Sequence, residues 1–104
     1  MIRIFVKKEK GLIKQINFVG HANYASYGQD IVCAAVSATY YCSVNACYSL
    51  LDSSIEVREE DNVQVLSVVT DDLVIQKILN NMIFCLESLR KQYPKNIRID
   101  KEEK

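Results

Sequence analysis

GHANYASYGQDIVCAAVS, from Gly20 to Ser37, is where the chain turns from strand-like sequence into a long uncharged helix. Upstream, Met1 to Lys8 alternates, with Ile2, Ile4 and Val6 on one side and Arg3 and Lys7 on the other. That is the pattern of a half-buried strand. Glu9-Lys10-Gly11 makes a tight turn, and Leu12 to Val19 returns as the second arm of a hairpin. Gly20 ends it and opens a loop with glycines at both ends, Gly20 and Gly28, and Tyr24 and Tyr27 between them. Such a loop suits a lid that opens and closes over a site. Asp30 is a good N-cap, since its carboxylate accepts from backbone N–H groups two or three residues on. Ile31, Val32 and Cys33 are then the first three helical positions.

The first helix is expected to run to about Leu51 and to stop at Asp52-Ser53-Ser54. Two faces follow helical spacing: Val32, Val36, Thr39, Ser43, Ala46 and Leu50, and beside it Cys33, Ser37, Tyr40, Val44, Cys47 and Leu51. Ile55 to Glu60 and Val63 to Val69 read as two more strands, the second apolar enough to sit centrally in a sheet. Thr70-Asp71-Asp72 caps a second helix that ends near Gln92, ahead of Pro94. Its apolar face is Ile75, Ile78, Leu79, Met82, Leu86 and Leu89; Gln76, Lys77, Asn80, Glu87, Arg90 and Lys91 make the wet face. Asn96 to Asp100 is a short last strand and Lys101 to Lys104 a frayed tail. The order is ββαββαβ: an α+β, two-layer sandwich with two helices on a mixed or antiparallel sheet.

The 104 residues suit one domain, residues 1–104, with one core. Thirteen basic and thirteen acidic residues give no net charge, so nothing favours direct nucleic-acid binding. MIRIFVKKEKG lacks the apolar run and cleavage site of a signal peptide, which points to the cytoplasm. There, Cys33, Cys42, Cys47 and Cys85 should be free thiols. They form no CxxC pair, and one histidine does not complete a usual zinc set, so neither metal nor cofactor is expected. The run from Ile31 to Leu51 has no charge and is long enough to span a bilayer. It carries Ser37, Thr39, Ser43, Asn45 and Ser49, and reads instead as a soluble helix buried on more than one side. A second copy of the chain would cover it, through Tyr41, Val44, Asn45 and Tyr48.

A cysteine in a first helical turn sits where the dipole and unpaired N–H groups favour negative charge. His21, the only histidine, stands upstream across a loop able to fold back. An imidazole beside a thiol takes its proton and later protonates a leaving amine. Cys33 is thus the candidate nucleophile, His21 the general base and acid. Asp30 is read first as a cap, with orientation of His21 as the alternative. Ser37, one turn beyond Cys33, either faces the site or allows close packing. Tyr40 joins Tyr24 and Tyr27 as lining of an apolar pocket near Cys33, or packs in the core.

The words Gly20-His21-Ala22, Tyr24-Ala25, Gly28, Asp30 and Cys33-Ala34-Ala35-Val36-Ser37, with their spacing, resemble the Prp family, bacterial ribosomal-processing cysteine proteases. The likeness extends more loosely over nearly the whole chain. Asn23 departs from it, standing where the family often has glycine; altered loop mobility is the expected consequence. The resemblance implies a cysteine endopeptidase that removes the short N-terminal extension of a large-subunit ribosomal protein, cutting beside aromatic residues, and acts as a homodimer. Two other readings compete. A non-catalytic ribosome-associated binding module would keep Cys33 and His21 apart or buried. A thiol redox protein would need a resolving cysteine, yet Cys42 and Cys47 lie more than two turns from Cys33.

Overall fold

The computed structural model describes residues 1–21, 25–26 and 30–104. β1 (Ile2–Glu9) and β2 (Leu12–Val19) form an antiparallel hairpin. Its turn residues Lys10 and Gly11 both have positive φ, 52° and 80°, as a two-residue hairpin with right-handed twist requires. Then come α1 (Ile31–Leu50), β3 (Ile55–Glu60), β4 (Val63–Val68), α2 (Leu73–Gln92) and β5 (Ile97–Glu103). The sheet order is β3-β4-β2-β1-β5. β1 and β5 run parallel and all other neighbours antiparallel, so the sheet is mixed. The expected ββαββαβ order and two-helix α+β architecture are both present.

This topology decides where the chemistry can be. β3 runs parallel to β2, so α1 between them must return antiparallel to β2. The N-terminus of α1 therefore stands at the sheet end where β2 finishes. By the same argument β1 and β5 begin, and α2 finishes, at that end.

The core lies between one sheet face and the helices. Ile2, Ile4 and Val6 of β1 and Ile16, Phe18 and Leu66 of the middle strands meet Val32, Val36, Tyr40, Val44 and Cys47 of α1 and Ile75, Leu79, Met82 and Leu86 of α2. The α1 stripe merges residues from the two faces expected for that helix. It is Val32, Val36, Tyr40, Val44 and Cys47, whereas Thr39, Ser43 and Ala46 are half-buried and Leu50 is exposed. By length and composition α1 is apolar enough to cross a membrane, but in this fold that stripe belongs to the core.

Two features differ from the sequence reading. Gln76, assigned to the wet face, is buried. Its cause is a β-bulge: Lys7 pairs with Gln15 but Lys8 with Ile13, leaving Lys14 as the extra residue. The bulge turns both Ile13 and Ile16 inward, although they are three apart. The pairing of β4 with β2 starts only at Gln15, so Ile13 lacks a strand on that side. The Gln76 amide replaces it. Ile13 N–H donates to Gln76 Oε1 at 2.8 Å, and Gln76 Nε2 donates to the Ile13 carbonyl at 2.8 Å.

The second difference is the tail. Lys101 to Glu103 continue β5 alongside Val6 to Lys8. Lys104 N–H donates to the Lys8 carbonyl at 2.9 Å, and Gly11 N–H to Glu103 Oε2 at 3.1 Å. Backbone pairing with β1 orders a charged segment that carries no apolar signal of its own.

Candidate active site

α1 starts because Asp30 holds extended backbone, φ −80° and ψ 98°, and turns its carboxylate onto the first turn. Asp30 Oδ1 accepts from Val32 N–H and Cys33 N–H, both at 3.0 Å. Ala34 N–H donates to the Asp30 carbonyl at 3.1 Å, the first bond of the helix. The cap is therefore formed as expected. It also changes the electrostatics of the helix start: a carboxylate already occupies the positive end of the dipole and uses the amide of Cys33 itself. Among the described residues, Ile31 N–H is the first-turn donor with no partner.

Cys33 is half-buried and packs against the edge of the core. Its position in the first helical turn, above the Asp30 cap, is the one the sequence gives. Ser37, one turn on, is exposed rather than packed in the core. The other cysteines differ in setting. Cys42 is exposed, Cys85 half-buried, and Cys47 fully buried, where burial pushes its thiol up from its ordinary value. Among the described residues the four cysteines form no disulfide.

His21 follows directly on β2 and is exposed. Gly20 before it has φ +87°, a conformation that L side chains resist. A Cβ there would stand 2.5 Å from the Met1 carbonyl, so only glycine lets β2 leave the sheet beside the start of β1. His21 and Cys33 thus belong to the same end of the sandwich, one on the strand that ends there and one on the helix that begins there. Ala22, Asn23, Tyr24, Tyr27 and Gly28 lie outside the described residues, and with them most of the loop read as a lid.

Tyr40 does not line a pocket. It is 6% exposed, with its ring edge-on to Phe18 at 4.9 Å and to Tyr41 at 5.3 Å. Among the described residues its buried hydroxyl has no hydrogen-bond partner. Burial, and then the neighbouring Tyr41 and Tyr48 phenols, push its pKa from 10.0 to about 12. Among the described residues no group of three or more His, Cys, Asp or Glu side chains is placed to hold a metal ion. Sequence reasoning missed the contact of Gly20 with Met1. The signal was the glycine itself, at a strand end where nothing but backbone requires one.

The profile described as cysteine protease Prp matches residues 1–98. The ribosomal processing cysteine protease Prp of Staphylococcus aureus is 34% identical, over 88% of this chain and 90% of its own length. That of Bacillus subtilis is 30% identical, over 95% and 96%. A crystal structure of S. aureus Prp with a covalently linked product peptide superposes with a TM-score of 0.91 at 29% identity, covering 98% of this chain and 100% of the other. A second, with a substrate peptide, gives 0.86 at 28% identity over the same shares. The chain belongs to the cysteine protease Prp family.

Proposed function

We propose that this protein is a cytoplasmic endopeptidase, its residues 1–104 forming one domain, that removes the short N-terminal extension of a large-subunit ribosomal protein, with Cys33 as nucleophile and His21 as base and acid. The observation that carries the reading is the placement of Cys33 in the first turn of α1, at the sheet end where β2 delivers His21. The names of the S. aureus and B. subtilis relatives, and the peptides bound in the S. aureus structures, support the substrate.

In the first step His21 takes the Cys33 Sγ proton and the thiolate attacks the scissile carbonyl carbon. The carbonyl oxygen becomes an oxyanion and needs donors aimed at it. The Asp30 cap uses the Val32 and Cys33 amides, so Ile31 N–H is the first-turn donor left for it. His21 then protonates the leaving amine, and the C–N bond breaks to give a thioester. Water, deprotonated by His21, attacks the thioester; the C–S bond breaks and the thiol is restored. Asp30 acts as the cap that fixes the start of α1. Because its carboxylate competes at the helix start, the thiolate relies on its imidazolium partner.

The enzyme works as a homodimer, with no cofactor, no membrane and no direct nucleic-acid contact in its action. Tyr41, Asn45 and Tyr48 are exposed on α1 and support an interface there. Val44 is withdrawn from that set, since it is buried in its own chain's core. The test is mass spectrometry of the extended ribosomal protein incubated with wild type and with Cys33→Ala. Wild type should shorten it and Cys33→Ala should not. Stable binding without any cleavage by wild type would favour the ribosome-associated binding module instead.

A further inference from the structure

β1 and β2 pair so that Ile4 stands opposite Phe18, and Arg3 opposite Val19. Residues directly opposite each other share one face of the sheet. Ile4 and Phe18 belong to the core beneath the helices; Arg3 and Val19 do not. Continued past Val19, the same register would set Gly20 opposite Ile2 and His21 opposite Met1. Strand side chains alternate, so His21 would follow Val19 onto the face away from the helices. Cys33 belongs to α1 and packs against the core on the other face. A base kept in the strand would be separated from its thiol by the sheet.

The strand stops at Val19, and Gly20 supplies the break. Its φ of +87° leaves extended geometry at the last step before His21. An L side chain resists that φ, and its Cβ would stand 2.5 Å from the Met1 carbonyl oxygen. Both effects push the backbone back toward negative φ, the conformation that prolongs β2. Gly11 is the contrasting case. Its φ is +80°, but an added Cβ there meets nothing within 4 Å. It lies in the hairpin turn, at the other end of β2 from His21.

Resting on the endopeptidase reading above, we propose that Gly20 is a positioning residue: its left-handed backbone, fitted against the Met1 carbonyl, ends the alternation of β2 and turns His21 toward the helix side of the sheet, where Cys33 lies. Gly20 touches no reacting atom and acts through His21 alone. A displaced base slows the chemical step and leaves peptide affinity in place, so the loss falls on kcat rather than KM. A misplacement of about 1 Å is enough for roughly a hundredfold.

The test compares wild type, Gly20→Ala, His21→Ala, the double variant and Gly11→Ala. It reads cleavage of a fluorogenic peptide spanning the cut. It also reads alkylation of Cys33 by iodoacetamide at about pH 6, mapped by mass spectrometry, which reports thiolate held by an imidazolium. Gly20→Ala should lower kcat about a hundredfold with KM within about twofold, and slow Cys33 alkylation about tenfold. In the His21→Ala background the same change should do nothing further. Gly11→Ala carries the same backbone strain; it should melt earlier and cleave at the wild-type rate. D-alanine at position 20, in a chain joined by ligation at Cys33, favours positive φ and puts its methyl in place of the other hydrogen. It should restore most of the cleavage, and it decides the matter if Gly20→Ala melts early. Wild-type kcat and alkylation in Gly20→Ala would overturn the proposal. So would a further loss in the double variant, or D-alanine as damaging as L-alanine. Wild type that cuts no peptide, with Cys33 alkylation still dependent on His21 and Gly20, would keep the positioning role and defeat the endopeptidase reading instead.

Discussion

Cys33 and Tyr40 sit two helical turns apart on α1 and illustrate two fates of a polar side chain. Cys33 is half-buried at the helix start, and its removal leaves little volume to refill. Cys33→Ala should therefore fold with an unchanged melting temperature while peptide cleavage falls by more than about a thousandfold. Cys42→Ala, Cys47→Ala and Cys85→Ala should keep cleavage; retained activity in Cys33→Ala would move the nucleophile elsewhere. Tyr40 carries a buried hydroxyl without a partner among the described residues. Removing such a group relieves an uncompensated desolvation, so Tyr40→Phe should leave stability unchanged or raise it by up to about 1 kcal/mol. The same residue sets an alkaline limit. Its folded pKa, about 12, lies above its ordinary 10.0, so the folded state holds the proton more tightly. Stability is unaffected below the ordinary value and falls as pH rises from 10.0 to about 12. Urea midpoints across that window should decline less in Tyr40→Phe than in wild type.

At the scale of elements, the cap of α1 and the clamp of α2 separate what sequence makes legible from what it does not. Asp30 was readable because capping is local: one carboxylate meets amides two and three residues on. The alternation of β1 and the amphipathic run of α2 were readable for the same reason, since each period is set within the element. Gln76 was not. Its burial depends on a bulge sixty-three residues away, a register irregularity in another element. The end of β5 was equally hidden, because its order comes from β1 rather than from its own charged sequence. Likewise, the sequence supplied the two candidate catalytic residues, but only the parallel relation of β2 and β3 explains why a strand end and a helix start belong to one end of the molecule.

Both elements yield tests. Asp30→Ala removes the cap and should cost about 1 kcal/mol. Asp30→Asn keeps a capping oxygen and should preserve both stability and the pH–rate profile; a displaced profile would show that the carboxylate orients His21. Gln76→Leu leaves a buried N–H and C=O of Ile13 without partners and should cost about 2–4 kcal/mol, read as a lowered denaturant midpoint.

At the scale of the whole molecule, the two helices differ in charge among the described residues, although α2 also exposes Leu73, Val74 and Phe84. α2 faces water with Lys77, Asn80 and Lys91, whereas α1 offers no charge on any side. Its core stripe accounts for Val32, Val36, Tyr40, Val44 and Cys47, and leaves Ala34, Ala38, Tyr41, Asn45 and Tyr48 exposed. Exposed apolar area in one strip is uncommon on a lone chain. A second copy is the occupant that an uncharged strip fits best. Around a two-fold axis every residue near the axis meets its own copy, so any charge there would face a like charge. A helix without charge avoids that repulsion, and small residues such as Ala34 and Ala38 let two helices approach closely. Tyr41 and Tyr48 would then supply the large contact area of the interface. Sedimentation at micromolar concentration should give twice the chain mass of 11.9 kDa. Tyr41→Glu or Tyr48→Glu places like charges across the axis and should shift the protein to the monomer without unfolding it, because neither side chain belongs to the core. Since each subunit retains its own His21 and Cys33, cleavage per chain should persist in such monomers at low temperature and be lost on warming earlier than in wild type. A wild-type protein that sediments as one chain at high concentration would refute the interface.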